Sequence, residues 1–156
     1  FIENHGGISW NGYGGDRVIS RKRYDNFILR LEWKLYRHGG NSGVFIRAPR
    51  DNRESAMGME IQIFGDPGEE PNKNSSGAIY DVLPATSNPS NSIGTWNQYE
   101  IVADGPQIRV TLNGVVVQDV NMDDDEILVH RMRNGFIKLQ DHGNRVTFRH
   151  IRIKEL

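Results

Sequence analysis

Apolar residues recur at every second position through much of this chain. The clearest run is 26–37, where Leu29, Leu31, Trp33 and Leu35 fall on one side and Arg30, Glu32, Lys34 and Tyr36 on the other, the period of a half-buried β-strand. Trp33 is read as core. The same alternation sets Glu60 and Gln62 between Met59, Ile61 and Ile63 in 58–64. Glutamate and glutamine are poor strand formers, so two of them in an otherwise apolar strand point to a polar face that looks at a ligand rather than bulk water. A ligand-lined concave sheet is the expectation. Between these runs, Gly39 to Gly43 forms a turn, and Val44 to Arg47 resumes an extended course until Ala48-Pro49 stops it, with Phe45 and Arg47 on one face.

Segments 96–103, 107–112 and 115–120 read as a meander, because Asp104-Gly105 and Asn113-Gly114 supply the turn residues that tight hairpins need. Segments 136–140 and 145–154 read as closing strands joined by a turn at His142-Gly143-Asn144. The glycine-rich 8–20 segment suggests short strands around a turn at 12–15, and 77–82 another short strand. Polar stretches at 50–56, 65–76 and 83–94 are loops, the last too long for a simple hairpin. The one helical candidate is 123–131. About ten short strands with regular turns predict an all-β fold, a sandwich or jelly roll.

Composition narrows the function. At 156 residues the chain fits a single domain, 1–156, with one core. Nineteen basic against twenty acidic residues leave a net charge of −1 without a basic run, which argues against nucleic acid and anionic membrane surfaces as partners. No apolar run reaches the length of a membrane span, so no membrane insertion is expected. Phe1 opens the chain without an initiator methionine or signal peptide, so it reads as trimmed or processed. The absence of cysteine excludes disulfides and thiol chemistry.

Candidate chemistry lies in a constellation: Arg47, Glu60, Gln62, Gln140 and His142 each sit in or beside a strand with apolar neighbours. The plainer alternative for Glu60 is a cross-strand ion pair with Arg47. Asp141 could orient the His142 imidazole as a general base requires, although Gln140-Asp141-His142-Gly143-Asn144 also reads as an ordinary polar turn. Tyr80, Trp96 and Tyr99 are candidate rings for a sugar to lie against, with core packing as the alternative. The Asp123–Glu126 acidic run lacks calcium-loop spacing and reads as solvated. The histidines at 5, 38, 130, 142 and 150 show no metal-ligand pairing. No metal site and no cofactor are expected; a divalent cation is not signalled.

Several ordered blocks together resemble the 3-keto-disaccharide hydrolase domain family of the concanavalin A-like lectin and glucanase superfamily. They are Tyr24-Asp25-Asn26-Phe27, Asn41-Ser42-Gly43-Val44-Phe45-Ile46-Arg47, Gly58-Met59-Glu60-Ile61-Gln62-Ile63, Gly77-Ala78-Ile79-Tyr80, Trp96-Asn97, Leu112-Asn113-Gly114 and Gln140-Asp141-His142-Gly143, the last extending from Gly135 to Phe148-Arg149. The resemblance implies a jelly-roll β-sandwich, laminin-G-like in outline, whose concave sheet binds carbohydrate, and a role in bacterial glycan or keto-glycoside breakdown, often in exported (periplasmic or extracellular) proteins. Carried over by position, it implies Glu60 and His142 as catalytic residues, with Asn41, Arg47, Gln62, Tyr80, Gln140 and Asp141 as substrate-binding. Two departures stand out: the family's extra N-terminal strand is missing or shortened, and the acidic residue that often ends the Gln62 strand is replaced by Gly65 followed by Asp66.

The expected substrate is an oxidised disaccharide or glycan. A 3-keto sugar has an acidified C2 hydrogen, so one base can begin elimination at C1 where an ordinary glycosidase needs two carboxyl groups. Either Glu60 or His142 would take that proton while the other assists the leaving oxygen, and Arg47, Gln62 or a cation would stabilise the enolate. The competing readings are a non-catalytic carbohydrate-binding module and an adhesion domain of the laminin-G type.

Overall fold

A computed structural model describes residues 2–4, 7–11 and 17–156. The expected turn at 12–15 lies outside the described residues. In chain order the elements are β1 (Ile2–Asn4), β2 (Gly7–Asn11), β3 (Arg17–Ile19), β4 (Phe27–Leu35), β5 (Asn41–Ala48), α1 (Glu54–Met57), β6 (Met59–Phe64), β7 (Asn97–Asp104), β8 (Gln107–Leu112), β9 (Val115–Asn121), β10 (Phe136–Gln140) and β11 (Arg145–Glu155), with 3-10 turns at Met122–Asp124 and Leu128–His130. They form two antiparallel sheets. One has seven strands in the order β1-β2-β11-β4-β7-β8-β9, and the other four in the order β3-β10-β5-β6. This is the jelly-roll sandwich that the alternating pattern implies.

The alternation dictates the packing. Leu29, Leu31, Trp33 and Leu35 of β4, Ile101 and Ala103 of β7, and Val146 and Phe148 of β11 face Val44 and Ile46 of β5, Ile61 and Ile63 of β6, and Ile137 and Leu139 of β10 in one buried core. Burying each such side chain contributes about 1.5–3 kcal/mol. Tyr99 reaches across this core, its hydroxyl donating to the Gln62 carbonyl at 2.5 Å. It is fully buried, so it stitches the sheets together and offers no face to a ligand.

Three expectations change. The 123–131 segment is no α-helix: the Asp125 side chain accepts from the backbone N–H groups of both Ile127 and Leu128, the local competition that favours turns over helix. The short strand at 77–82 reduces to bridges of Ile79 with Ile61 and Leu83. The 50–56 loop carries the unforeseen turn α1, whose Glu54 is buried.

Candidate functional site

The outer side of the four-stranded sheet is polar and yet buried. Cross-strand register builds it row by row. Ile19 pairs with Lys138, Lys138 with Phe45, and Phe45 with Glu60. The Tyr80 N–H donates to the Glu60 carbonyl at 2.9 Å, which extends this row to Tyr80. In the next row Arg17 pairs with Gln140 and Gly43 with Gln62, and one further step in the β10–β5 register brings Gln140 beside Gly43. Side chains alternate along each strand, so Lys138, Phe45, Glu60, Tyr80, Arg17, Gln140 and Gln62 share one face.

Glu60 is its centre. Its carboxyl lies across β5 directly over Gly43, so closely that a Cβ on Gly43 would meet Glu60 Oε1 at 2.4 Å. The glycine makes the room. Ser55 of α1 donates its hydroxyl to Glu60 Oε2 at 2.7 Å. Burial pushes the Glu60 carboxyl up to about 7, the Glu54 charge adds to this, and the Ser55 hydroxyl and Arg17 pull against it. A carboxyl that titrates near neutrality can both take and return a proton at physiological pH.

A compact charge cluster supports it. Glu54 is 2% exposed and Lys138 1%. Arg17 forms an ion pair with Glu54, and the Lys138 ammonium lies 3.6 Å from Glu54 Oε1 while donating to the Asp51 carbonyl at 2.7 Å. Burial lowers the Lys138 pKa, and Glu54 opposes that shift. Beyond the cluster, the amide oxygens of Asn41, Gln62 and Gln140 are buried without a hydrogen-bond partner among the described residues. The Gln62 amide nitrogen is already held by the Asn74 carbonyl at 3.2 Å, which leaves its oxygen as the open acceptor. Buried acceptors of this kind are costly unless a donor arrives. Ligand hydroxyls are suitable donors.

Not every expected residue arrives here. Arg47 does not, and its ion pair with Glu60 does not form. The β10–β5 register slips between Phe136 and Lys138, Arg47 takes a left-handed φ of +48°, and the bulge re-aims its side chain away from Phe45's face. Its guanidinium is fully buried, donating to the carbonyls of Asp25 and Gly105, both at 2.8 Å, with burial lowering its pKa to about 10. Asp141 does not orient His142: its carboxylate accepts from the Gly143 N–H at 3.0 Å, as the turn reading requires. His142 is exposed, on a turn docked to β5 by Asn144 Oδ1, which accepts from the Asn41 N–H at 2.8 Å. It follows Gln140 by two residues, just past the end of β10. Trp96 belongs elsewhere, its ring between Lys34 at 4.6 Å and Arg149 at 3.8 Å. Of the three candidate rings only Tyr80 stands beside Glu60.

Sequence reasoning overlooked Gly43, Lys138, Arg17, Glu54 and Ser55 as members of the site. Lys138 was detectable, since Phe136-Ile137-Lys138-Leu139-Gln140 alternates as the Glu60 strand does. Glu54 and Ser55 come from a polar loop with no such signature. Among the described residues no group of three or more His, Asp or Glu side chains is placed to hold a metal ion.

The comparisons with known proteins bear on the family and the fold. A 3-keto-disaccharide hydrolase of Bacteroides thetaiotaomicron is 26% identical over 206 aligned positions, which span all of this chain and 67% of the relative. The crystal structure of a Parabacteroides distasonis protein described as a candidate glycosyl hydrolase superimposes with a TM-score of 0.88 at 27% identity, covering 99% of this chain and 89% of that one. The carbohydrate-binding module CBM66 of Bacillus subtilis shares the fold, with a TM-score of 0.66 at 13% identity and 96% of each chain covered. The model of one family matches residues 2–154, and the chain is therefore a member of the 3-keto-alpha-glucoside-1,2-lyase-like domain family.

Proposed function

We infer that this domain cleaves the C1–O bond of 3-keto-glycosides, with Glu60 as its acid–base group. The observation that carries this reading is a buried carboxyl tuned to about 7 at the centre of a face rich in unpaired amide acceptors. Family membership and the relative named a 3-keto-disaccharide hydrolase support the substrate class.

In this reading the Glu60 carboxylate takes the C2 proton, which the C3 ketone acidifies, and the C2–H electron pair moves into an enolate. Collapse of the enolate forms the C1=C2 double bond and breaks the C1–O bond, and the proton held on Glu60 goes to the departing oxygen. The products are an alcohol and an unsaturated keto sugar, a lyase outcome. Adding water across the new double bond, hydrogen to C2 and hydroxyl to C1, completes a net hydrolysis without any oxidant or reductant. Asn41, Gln62 and Gln140 accept from ring hydroxyls, and Arg17 supplies positive charge on the same face against the developing oxyanion. One carboxyl suffices because its two proton transfers are successive.

The test is turnover of a 3-keto-disaccharide in D2O. Wild-type protein should incorporate deuterium at C2, and Glu60→Gln should lose about a hundredfold or more in rate, in the range expected for a general acid–base group. His142→Ala should change the rate far less. Normal turnover by Glu60→Gln would sink the assignment, and binding without cleavage by the wild type would favour a carbohydrate-binding module.

A further inference from the structure

The Glu60 row does not end at Glu60. On its far side a surface cleft of about 270 Å³ is lined by Ser55, Ala56, Tyr80, Val82, Ile127 and Arg131, with Asp81 at its edge. Two contacts join it to the acid–base group. Ser55, which lines the cleft, donates to Glu60 Oε2 at 2.7 Å, and the Tyr80 backbone is hydrogen-bonded to that of Glu60. Arg131 donates in turn to the Ser55 carbonyl, so the cleft and the Glu60 support share one framework.

The lining has mixed character. Ile127 is 42% exposed although it is a large aliphatic residue, and with Ala56 and Val82 it forms an apolar wall next to the Tyr80 ring. Opposite charges meet at the rim, where Asp81 supports the charged form of Arg131 against its burial. Asp81 holds a left-handed φ of +60°, fixed as its N–H donates to the Lys73 carbonyl at 3.0 Å. Strained non-glycine backbone of this kind gathers where a side chain must be aimed. The volume lies just under the roughly 300–1,000 Å³ typical of pockets for drug-sized ligands, which is room for one ring.

We propose that this cleft is the leaving-group subsite and that it takes a second sugar ring, with the ring's apolar face against Tyr80 and Ile127 and its hydroxyls on Asp81 and Arg131. The inference rests on the reading of Glu60 as the acid–base of a 3-keto-glycoside-cleaving site. A sugar fits better than an aryl group because it presents apolar C–H faces and hydroxyl edges together, whereas an aryl ring would leave the charged rim unused.

Three 3-keto-glucosides that differ only at the C1 substituent test this: a disaccharide, the methyl glycoside and the phenyl glycoside. Ala56→Trp, which fills the cleft, and Ile127→Asp, which puts a charge on the same apolar wall, should each lower kcat/KM for the disaccharide about tenfold or more relative to the methyl glycoside. Asp81→Asn, which tolerates the left-handed φ, should lower the disaccharide-to-phenyl ratio by about tenfold, the scale of one lost charged hydrogen bond. Unaltered ratios in all three variants would overturn the subsite. Equal losses for disaccharide and phenyl glycoside in Ala56→Trp and Ile127→Asp, with no effect of Asp81→Asn, would overturn the sugar and assign an apolar leaving group. Failure of the wild type to cleave any of the three would overturn the parent reading and this inference with it.

Discussion

At Gly43 the missing side chain makes room for the Glu60 carboxyl. A methyl group there would stand 2.4 Å from Glu60 Oε1, and because its neighbour is the end of a flexible side chain, Gly43→Ala should displace the carboxyl before it disturbs the sheet. Misplacing a reacting group by about 1 Å can cost roughly a hundredfold in rate, so we expect kcat to fall by one to two orders of magnitude with a urea midpoint near that of the wild type. Glu60 itself should leave a mark on stability. Its folded-state pKa of about 7 is raised above the ordinary 4.5, so the folded state binds the proton more tightly and the advantage is complete below about pH 4.5. That advantage is lost as pH rises through 7. Over this window wild-type stability should fall by about 3 kcal/mol from this group, at 1.36 kcal/mol per pKa unit, and Glu60→Gln should remove the slope in urea titrations compared at pH 5 and pH 8.

Among the elements, the 50–58 connection shows why a loop can matter more than a strand. It lays α1 over the outer face, putting Ser55 on Glu60 and Glu54 between Arg17 and Lys138. Such buried ions are poor stabilisers by themselves, because the desolvation of each offsets much of their attraction. Here they also set a field. Glu54 on α1 raises the Glu60 pKa, while Ser55 on the same turn and Arg17 on β3 lower it. Glu54→Gln should therefore shift the Glu60 limb of the kcat/KM–pH profile below 7. An unmoved limb would mean that Glu54 supports only the loop. The strand β5 makes the complementary point, since strict alternation puts Arg47 beside Phe45 and a single bulge reverses this. A bulge depends on partner-strand register, which leaves no trace in the pattern of one strand.

For the molecule as a whole, Arg47 acts as a tie. It joins the four-stranded sheet to the carbonyl before β4, at Asp25, and to the β7–β8 turn, at Gly105. Arg47→Ala strips two carbonyls of their donor and should destabilise by about 2–4 kcal/mol, seen as a lower urea midpoint, with KM of the folded protein unchanged. A raised KM at an unchanged midpoint would return Arg47 to the site. The two-sheet sandwich, the meander of β7 to β9 and the inward set from Leu29 to Leu35 were legible in the sequence, because period-two alternation reports directly which face of a strand is buried. So was the prominence of Glu60 and Gln62, polar residues where a strand should be apolar. The tertiary structure alone decided that Glu60 rests on Gly43, that Arg47 stands apart from it, that His142 is exposed on the turn after β10, and that Arg17, Glu54, Ser55 and Lys138 surround Glu60. Those outcomes depend on register, a bulge and the path of a loop, each set by contacts between segments distant in the chain, which no local pattern of residues encodes.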